Sequence, residues 1–176
     1  MRIGICGYAE SGKDVVADYL VEHRGFVKVN MSDALDRYLR ILNPLVPHGD
    51  EMFRYDDLRQ AMDLTTAKRN PEVRQLLQRL GTDVGRAIDP QMWVKEMEKE
   101  ASKHDRVVTT GIRFIEETYP LNWLIHVERP GVGPVNGHPS DSIDEIIKLA
   151  DIRLINDGTI DDLHAEIAAS LLGVLL

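Results

Sequence analysis

Gly7-Tyr8-Ala9-Glu10-Ser11-Gly12-Lys13-Asp14 follows the first apolar run of the chain and fits G-x-x-x-x-G-K at every fixed position. Ile3, Ile5 and Cys6 before it predict a short buried strand, and Val15 to Glu22 after it predict a helix. That context suits a phosphate cradle. Glycines let backbone N–H groups turn inward without a Cβ in the way. A helix N-terminus adds partial positive charge, and a lysine at the position of Lys13 reaches the β- and γ-phosphates of a nucleotide. The stretch Ala9, Glu10, Ser11, Gly12, Lys13, Asp14 and Val15 is therefore expected to hold a nucleoside triphosphate. A strand, loop and helix that merely pack, with Lys13 solvated, would need neither glycine nor the lysine.

Asp14 stands where serine or threonine usually ligates Mg²⁺. Two readings stay open. The carboxylate is either an acidic residue favoured in the first helical turn, or a Mg²⁺ ligand, direct or through water.

The 176 residues form most simply one domain, with 43% hydrophobic and 28% charged residues, ordinary values for a globular protein. A net charge of −8 argues against non-specific binding to nucleic-acid polymers or to membrane surfaces. The single cysteine, Cys6, has no internal disulfide partner and sits in the first strand as a core residue. Met1 leads straight into that strand without a signal-peptide pattern, and no apolar run reaches membrane-spanning length. A reducing, cytoplasmic setting is expected.

Strands are predicted at Arg2 to Cys6, Phe26 to Asn30, Arg106 to Thr109, Trp123 to Val127 and Ile152 to Ile155. They are short apolar runs without strict alternation, as parallel strands covered on both faces require. Helical stripes lie between them: Val16, Tyr19 and Leu20; Leu35, Leu39 and Leu42; Val73, Leu77 and Leu80; Ile160, Leu163, Ile167 and Leu171. Strands alternating with helices predict a doubly wound α/β fold. A long, mostly helical insertion is expected over about residues 32–104. Two segments read as mobile: Asn43 to Arg54, with Pro44, Pro47 and Gly49, and residues 129–141, rich in glycine and proline.

In the run from Glu72 to Asp83, Arg74 and Gln78 lie one turn apart on one helix face, and Arg86 follows. Arginine matches a phosphate bidentately, and a glutamine amide can address a base edge; a solvated helix face is the plainer alternative. Trp93 can stack on a base or fill the core. Arg113 follows the third strand, where open α/β sheets line their ligand crevice, and is a candidate anion ligand. Asn156-Asp157-Gly158 follows the last strand as a turn, with Asp157 or Thr159 available to cap the last helix. The six histidines show no metal-ligand spacing.

Together these pieces resemble phage deoxynucleoside monophosphate kinases. The resemblance is carried by Ser11 to Asp14, Leu76 to Asp83, Trp93-Val94-Lys95, Arg113, Ile125 to Pro130 and Asn156 to Gly158. It implies a three-layer P-loop kinase fold with a central, mainly parallel five-stranded sheet, the helical insertion and a lid over residues 129–141. It also implies transfer of the ATP γ-phosphoryl group to a deoxynucleoside monophosphate, with Mg²⁺. On this reading Lys13, Asp14, Arg113 and Arg129 are catalytic, and Asn156, Asp157 and Gly158 rest the adenine. Arg74, Gln78, Gly81, Arg86, Trp93 and Arg113 hold the acceptor. Ala9 and Glu10 depart from relatives with basic residues inside the loop. The partners implied are ATP and a deoxynucleoside monophosphate, in the host cytoplasm if phage-encoded, with a homodimer left open. Rival readings are a kinase for dephospho-coenzyme A or phosphomevalonate, and a nucleotide-binding module with little turnover.

Overall fold

Ile3 and Ile5 alternate with Gly4 and Cys6 along the first strand, and all four are buried. A strand covered on both faces has to lie inside a sheet, and it does. The computed structural model describes residues 1–134, 143–171 and 173. In it β1 (Arg2–Cys6) runs between β5 (Val107–Thr110) and β6 (Trp123–Glu128). With β2 (Val27–Lys28) and β7 (Ile152–Ile155) the sheet has five parallel strands in the order β2-β5-β1-β6-β7. The expected α/β fold with a parallel five-stranded sheet is thus present. The second strand is shorter than predicted: Phe26 is buried beside it, while the Asn30 side chain accepts from Thr110 N at 2.9 Å and Thr110 Oγ1 at 3.0 Å.

Contacts divide the chain into two compact units, Met1–Asn30 with Met97–Leu176, and Met31–Glu96. In the first, α1 (Lys13–Arg24) and α8 (Ile160–Leu171) cover one sheet face. Val16, Ala17 and Leu20 from α1, and Leu163, Ile167 and Leu171 from α8, close over Ile3, Ile5, Val108, Ile125 and Val127. Tyr19 packs against this cluster as predicted, but Ile160, the first residue of α8, is 62% exposed. Thr159 caps α8: its N–H and hydroxyl both donate to Asp162, whose own N–H donates back. Among the described residues no helix is long and apolar enough to cross a membrane.

The second unit holds α2 (Met31–Leu42), β3 (Leu45–His48), β4 (Glu51–Arg54), α3 (Tyr55–Ala61), α4 (Leu64–Ala67) and α5 (Pro71–Gln78). Its core is Leu39, Val46, Tyr55, Leu58, Ala67, Val73 and Leu77, with Leu35 and Leu80 packed on it. Leu42, expected in that stripe, is the last residue of α2 and is 65% exposed. The segment read as mobile is an antiparallel hairpin, pairing Leu45 with Arg54 and His48 with Glu51. Gly49 takes φ 64° in its two-residue turn, a conformation that glycine adopts without strain. Val46 anchors the hairpin in the core. Asp36 is gripped by Tyr55 (2.7 Å) and by both ends of the Arg59 fork (2.7 and 3.3 Å).

A π-helix, Arg79–Arg86, continues α5, and α6 (Met92–Ala101) follows. Gly81 and Gly85 are its buried residues. A Cβ on Gly85 would lie 2.4 Å from Trp93 Cζ2, so the indole rests directly on the bare backbone.

Candidate functional site

The loop between β1 and α1 owes its shape to two glycines and one neighbour. Gly7 takes φ 151°, and a Cβ there would meet Val127 O at 2.5 Å and Ser11 Oγ at 2.6 Å. Gly12 takes φ 101°, and a Cβ would meet Asn156 Nδ2 at 2.5 Å. The Asn156 side chain donates to Ser11 O at 2.9 Å, and its backbone N–H donates to Glu128 O at 2.7 Å. Asn156 therefore ties the loop to the end of β7. Asp157 and Gly158 are exposed beside it.

Lys13 folds over the loop, its Nζ donating to Tyr8 O at 2.7 Å. Ala9 and Ser11 complete the curve, and Arg129 Nη1 donates to Glu10 O at 3.3 Å. Val15 packs its side chain on the sheet core, so only its backbone N–H is available to a ligand. Ser11 Oγ and His126 Nδ1 are buried without a partner, and both residues line a cavity of about 480 Å³ that Tyr8, Arg129 and Arg153 also border. Burial holds the His126 imidazole below its ordinary value. Burial also pushes the Cys6 thiol up to about 12, against weaker pulls from its own backbone and Lys13. Cys6 is a protonated core residue, as its place in the strand predicted.

Glu10 takes φ 64°, an uncommon conformation for a residue with a Cβ. Glu10→Gly is expected to stabilise the protein by about 1 kcal/mol, because glycine occupies this region without the Cβ clash. A urea midpoint at or below the wild-type value would show that Glu10 makes compensating contacts.

Asp14 lies in the first turn of α1, and its Oδ1 lies 2.9 Å from Lys28 Nζ and 3.4 Å from Thr110 Oγ1. Burial alone would raise its carboxyl, but the Lys28 ammonium, with Lys13 and Thr110, outweighs that and holds it below the usual carboxylate range. It is ionised at neutral pH. Lys28 has no place in any motif of the sequence, and a lysine in a two-residue strand gives no signal of its own. Magnesium commonly takes only one or two carboxylates, completing its shell with phosphates and water. Asp14 beside a glycine cradle fits that donor set, whereas the described residues hold no cluster of three or more His, Cys, Asp or Glu suited to a metal.

Arg113 follows Gly111 (φ 77°) beyond the end of β5, and its backbone N–H donates to the buried Glu117 carboxylate at 2.7 Å. The first unit thus brings together the loop, Asp14, Asn156 and Arg129, with Arg113 at a neighbouring strand end. In the second unit, Arg74 and Gln78 sit half-buried one turn apart on α5. Arg86 Nη1 donates to Pro90 O at 3.0 Å.

Trp93 takes the second of its two alternatives and fills the core, and with Gly81 it departs from the acceptor role that the resemblance implies. The indole is 2% exposed, its Nε1 donates to Gly81 O at 2.7 Å, and Tyr38 meets it edge-on at 5.9 Å. Neither a stacking face nor the Gly81 carbonyl is left open to a substrate, and both residues belong to the interior of their unit. The lid expected over residues 129–141 begins at the exposed Arg129 and Pro130, and residues 135–141 of it lie outside the described residues.

Comparison with known proteins agrees with this geometry. Two solved kinases share the fold: shikimate kinase from Aquifex aeolicus, at 16% identity and TM-score 0.52 over 100% of this chain and 99% of that one, and dephospho-CoA kinase from Campylobacter jejuni, at 14% identity and TM-score 0.50 over 98% and 96%. A protein of Acanthamoeba polyphaga mimivirus, provisionally named a deoxynucleotide monophosphate kinase, is 27% identical over 184 aligned positions, covering 94% of this chain and 93% of its own length. The family model described as deoxynucleotide monophosphate kinase matches residues 35–167, most of the chain. The chain belongs to the deoxynucleotide monophosphate kinase family.

Proposed function

We propose that this protein transfers the γ-phosphoryl group of ATP to a deoxynucleoside monophosphate, giving the diphosphate and ADP. The observation that carries the reading is the cradle between β1 and α1, in which Gly7 and Gly12 leave room that no other residue would leave. Family membership supports a deoxynucleoside monophosphate as the acceptor.

Transfer of a phosphoryl group proceeds through a loose transition state, so catalysis consists of aligning two nucleotides and neutralising charge. The loop amides and Lys13 hold the β- and γ-phosphates of ATP. Asp14 would be the residue to hold Mg²⁺, which would supply neutralisation of the phosphate charge. Arg129, whose guanidinium already reaches the loop carbonyl of Glu10, is the lid-side cation for the donor phosphates. Asn156 keeps the loop in shape, and Asp157 and Gly158 remain the candidates for the adenine edge. Arg74, Arg86 and Arg113 are the candidates for the acceptor phosphate, and Gln78 for its base. The acceptor phosphate is an anion at neutral pH and needs no strong general base.

The test is a coupled ADP-release assay across dAMP, dCMP, dGMP, dTMP, dephospho-coenzyme A and phosphomevalonate. Turnover confined to one or more deoxynucleotides is the expected result. Turnover with either of the last two alone would reassign the acceptor, and ADP release with none would leave a nucleotide-binding module. On the acceptor side, Arg74→Ala and Arg113→Ala are expected to lower kcat/KM for the monophosphate about 10- to 150-fold, the value of one charge-assisted hydrogen bond. ATP affinity, titrated separately, should change far less. Gln78→Ala should instead reorder the bases. Equal losses for ATP and monophosphate would move the arginines to the donor side.

A further inference from the structure

Lys28 is the charged residue at the loop that no motif accounts for. It stands on β2 opposite Val108, so its side chain shares the sheet face on which α1 lies. Its ammonium reaches two carboxylates one helical turn apart, Asp14 at 2.9 Å and Asp18 at 3.2 Å. Like charges at that spacing repel, and a cation between them removes the repulsion. Both aspartates are more than half exposed while the Lys28 side chain is 26% exposed, so solvent screens the two pairs only in part. The ammonium lies between the two carboxylates, where a divalent ion would otherwise meet both.

We propose that Lys28 is an internal counter-ion for Asp14: it keeps the Asp14–Asp18 edge of α1 free of divalent cations in the empty protein and so sets the metal dependence of the phosphate loop. Asp14 then meets a metal only when the ion arrives already carried by nucleotide phosphates, whose own charge draws the ammonium away. The loop has no basic residue at Ala9 or Glu10, so Lys28 is also the nearest reserve of positive charge on its β2 side. Exclusion of the metal concerns the empty protein alone. The consequence for the rate rests on the phosphoryl-transfer reading above.

The experiment titrates Mn²⁺ into the nucleotide-free protein at low ionic strength and follows the paramagnetic resonance signal of the free ion. Lys28→Met is expected to bind Mn²⁺ about tenfold more tightly than the wild type, the order expected on removing a unit charge a few ångströms from a divalent ion near the surface. Lys28→Arg should match the wild type, and the double variant Asp14→Asn/Lys28→Met should lose the gain. Lys28→Gln gives the same reading should the apolar methionine disturb the edge strand. Equal Mn²⁺ affinity in the wild type, Lys28→Met and Lys28→Gln overturns the proposal. A gain that survives removal of the Asp14 carboxylate also overturns it, by assigning the effect to another group. Should the predicted Mn²⁺ pattern appear in a protein that phosphorylates no acceptor, the kinase reading falls and the counter-ion stands.

Discussion

Lys13→Ala is expected to cut phosphoryl transfer by about 10²–10³-fold, some 2.7–4 kcal/mol of transition-state stabilisation, the usual loss when one preorganised donor is removed from a reacting oxyanion. The side chain is half-buried and donates to a carbonyl of its own loop, and it is not among the residues of the sheet core. The loop amides, the glycine conformations and the Asn156 tether all survive the change. Turnover at saturating ATP and monophosphate, set beside a circular-dichroism melt, separates the two roles. A rate near the wild-type value would remove the cradle from the chemistry. A collapsed melt with nucleotide affinity intact would make Lys13 a structural residue.

Trp93→Ala is expected to destabilise the Met31–Glu96 unit by about 3–5 kcal/mol, the range for truncating a large buried aromatic. The ring fills the space left by Gly85, and its N–H satisfies the Gly81 carbonyl inside the π-helix. Truncation opens a void and removes the indole's hydrogen bond to Gly81 O together. Trp93→Phe keeps most of the volume but loses the Nε1 bond to Gly81 O, at a cost of about 0.5–1.5 kcal/mol. Urea unfolding followed by circular dichroism reads both. An unchanged midpoint in Trp93→Ala, with monophosphate use lost, would return the indole to the substrate and sink the packing assignment.

The inner strands of the sheet, β1, β5 and β6, were legible because they are buried on both faces and are mostly apolar; the edge strand Ile152 to Ile155, half exposed, still carried enough apolar residues to be found. The hairpin was not. Leu45-Val46-Pro47-His48 buries one side chain, contains a proline and carries too little alternation to register as a strand. The π-helix leaves no periodic mark, since its register differs from the helices on either side. Within the site, the glycine cradle and Lys13 were readable because the chemistry fixes residue types at a fixed spacing. The pairing of Lys28 and the role of Asn156 were not, because each rests on a contact between separate elements: Lys28 of β2 with Asp14 and Asp18 of α1, and Asn156 with Ser11 at the far end of the chain. Asn156 was expected at the adenine, and its side chain is spent on Ser11 O. Trp93 illustrates the opposite limit: a motif position identifies a residue without revealing which way it faces.

The place of β1 in the sheet bears on how the chain is made. Its two neighbours, β5 and β6, begin at Val107 and Trp123, and the tether to Ser11 comes from Asn156. During synthesis the first strand and its glycine loop emerge early and wait, unpaired, while more than half of the protein is still to be translated. Parallel pairings so distant in sequence are slow to form and leave exposed edges meanwhile. The Met31–Glu96 segment, whose own core is drawn from close neighbours, can condense in that interval. Ribosome-bound chains halted before β7 should therefore gain protease resistance in this middle segment first, and capture no nucleotide until Asn156 has cleared the exit tunnel.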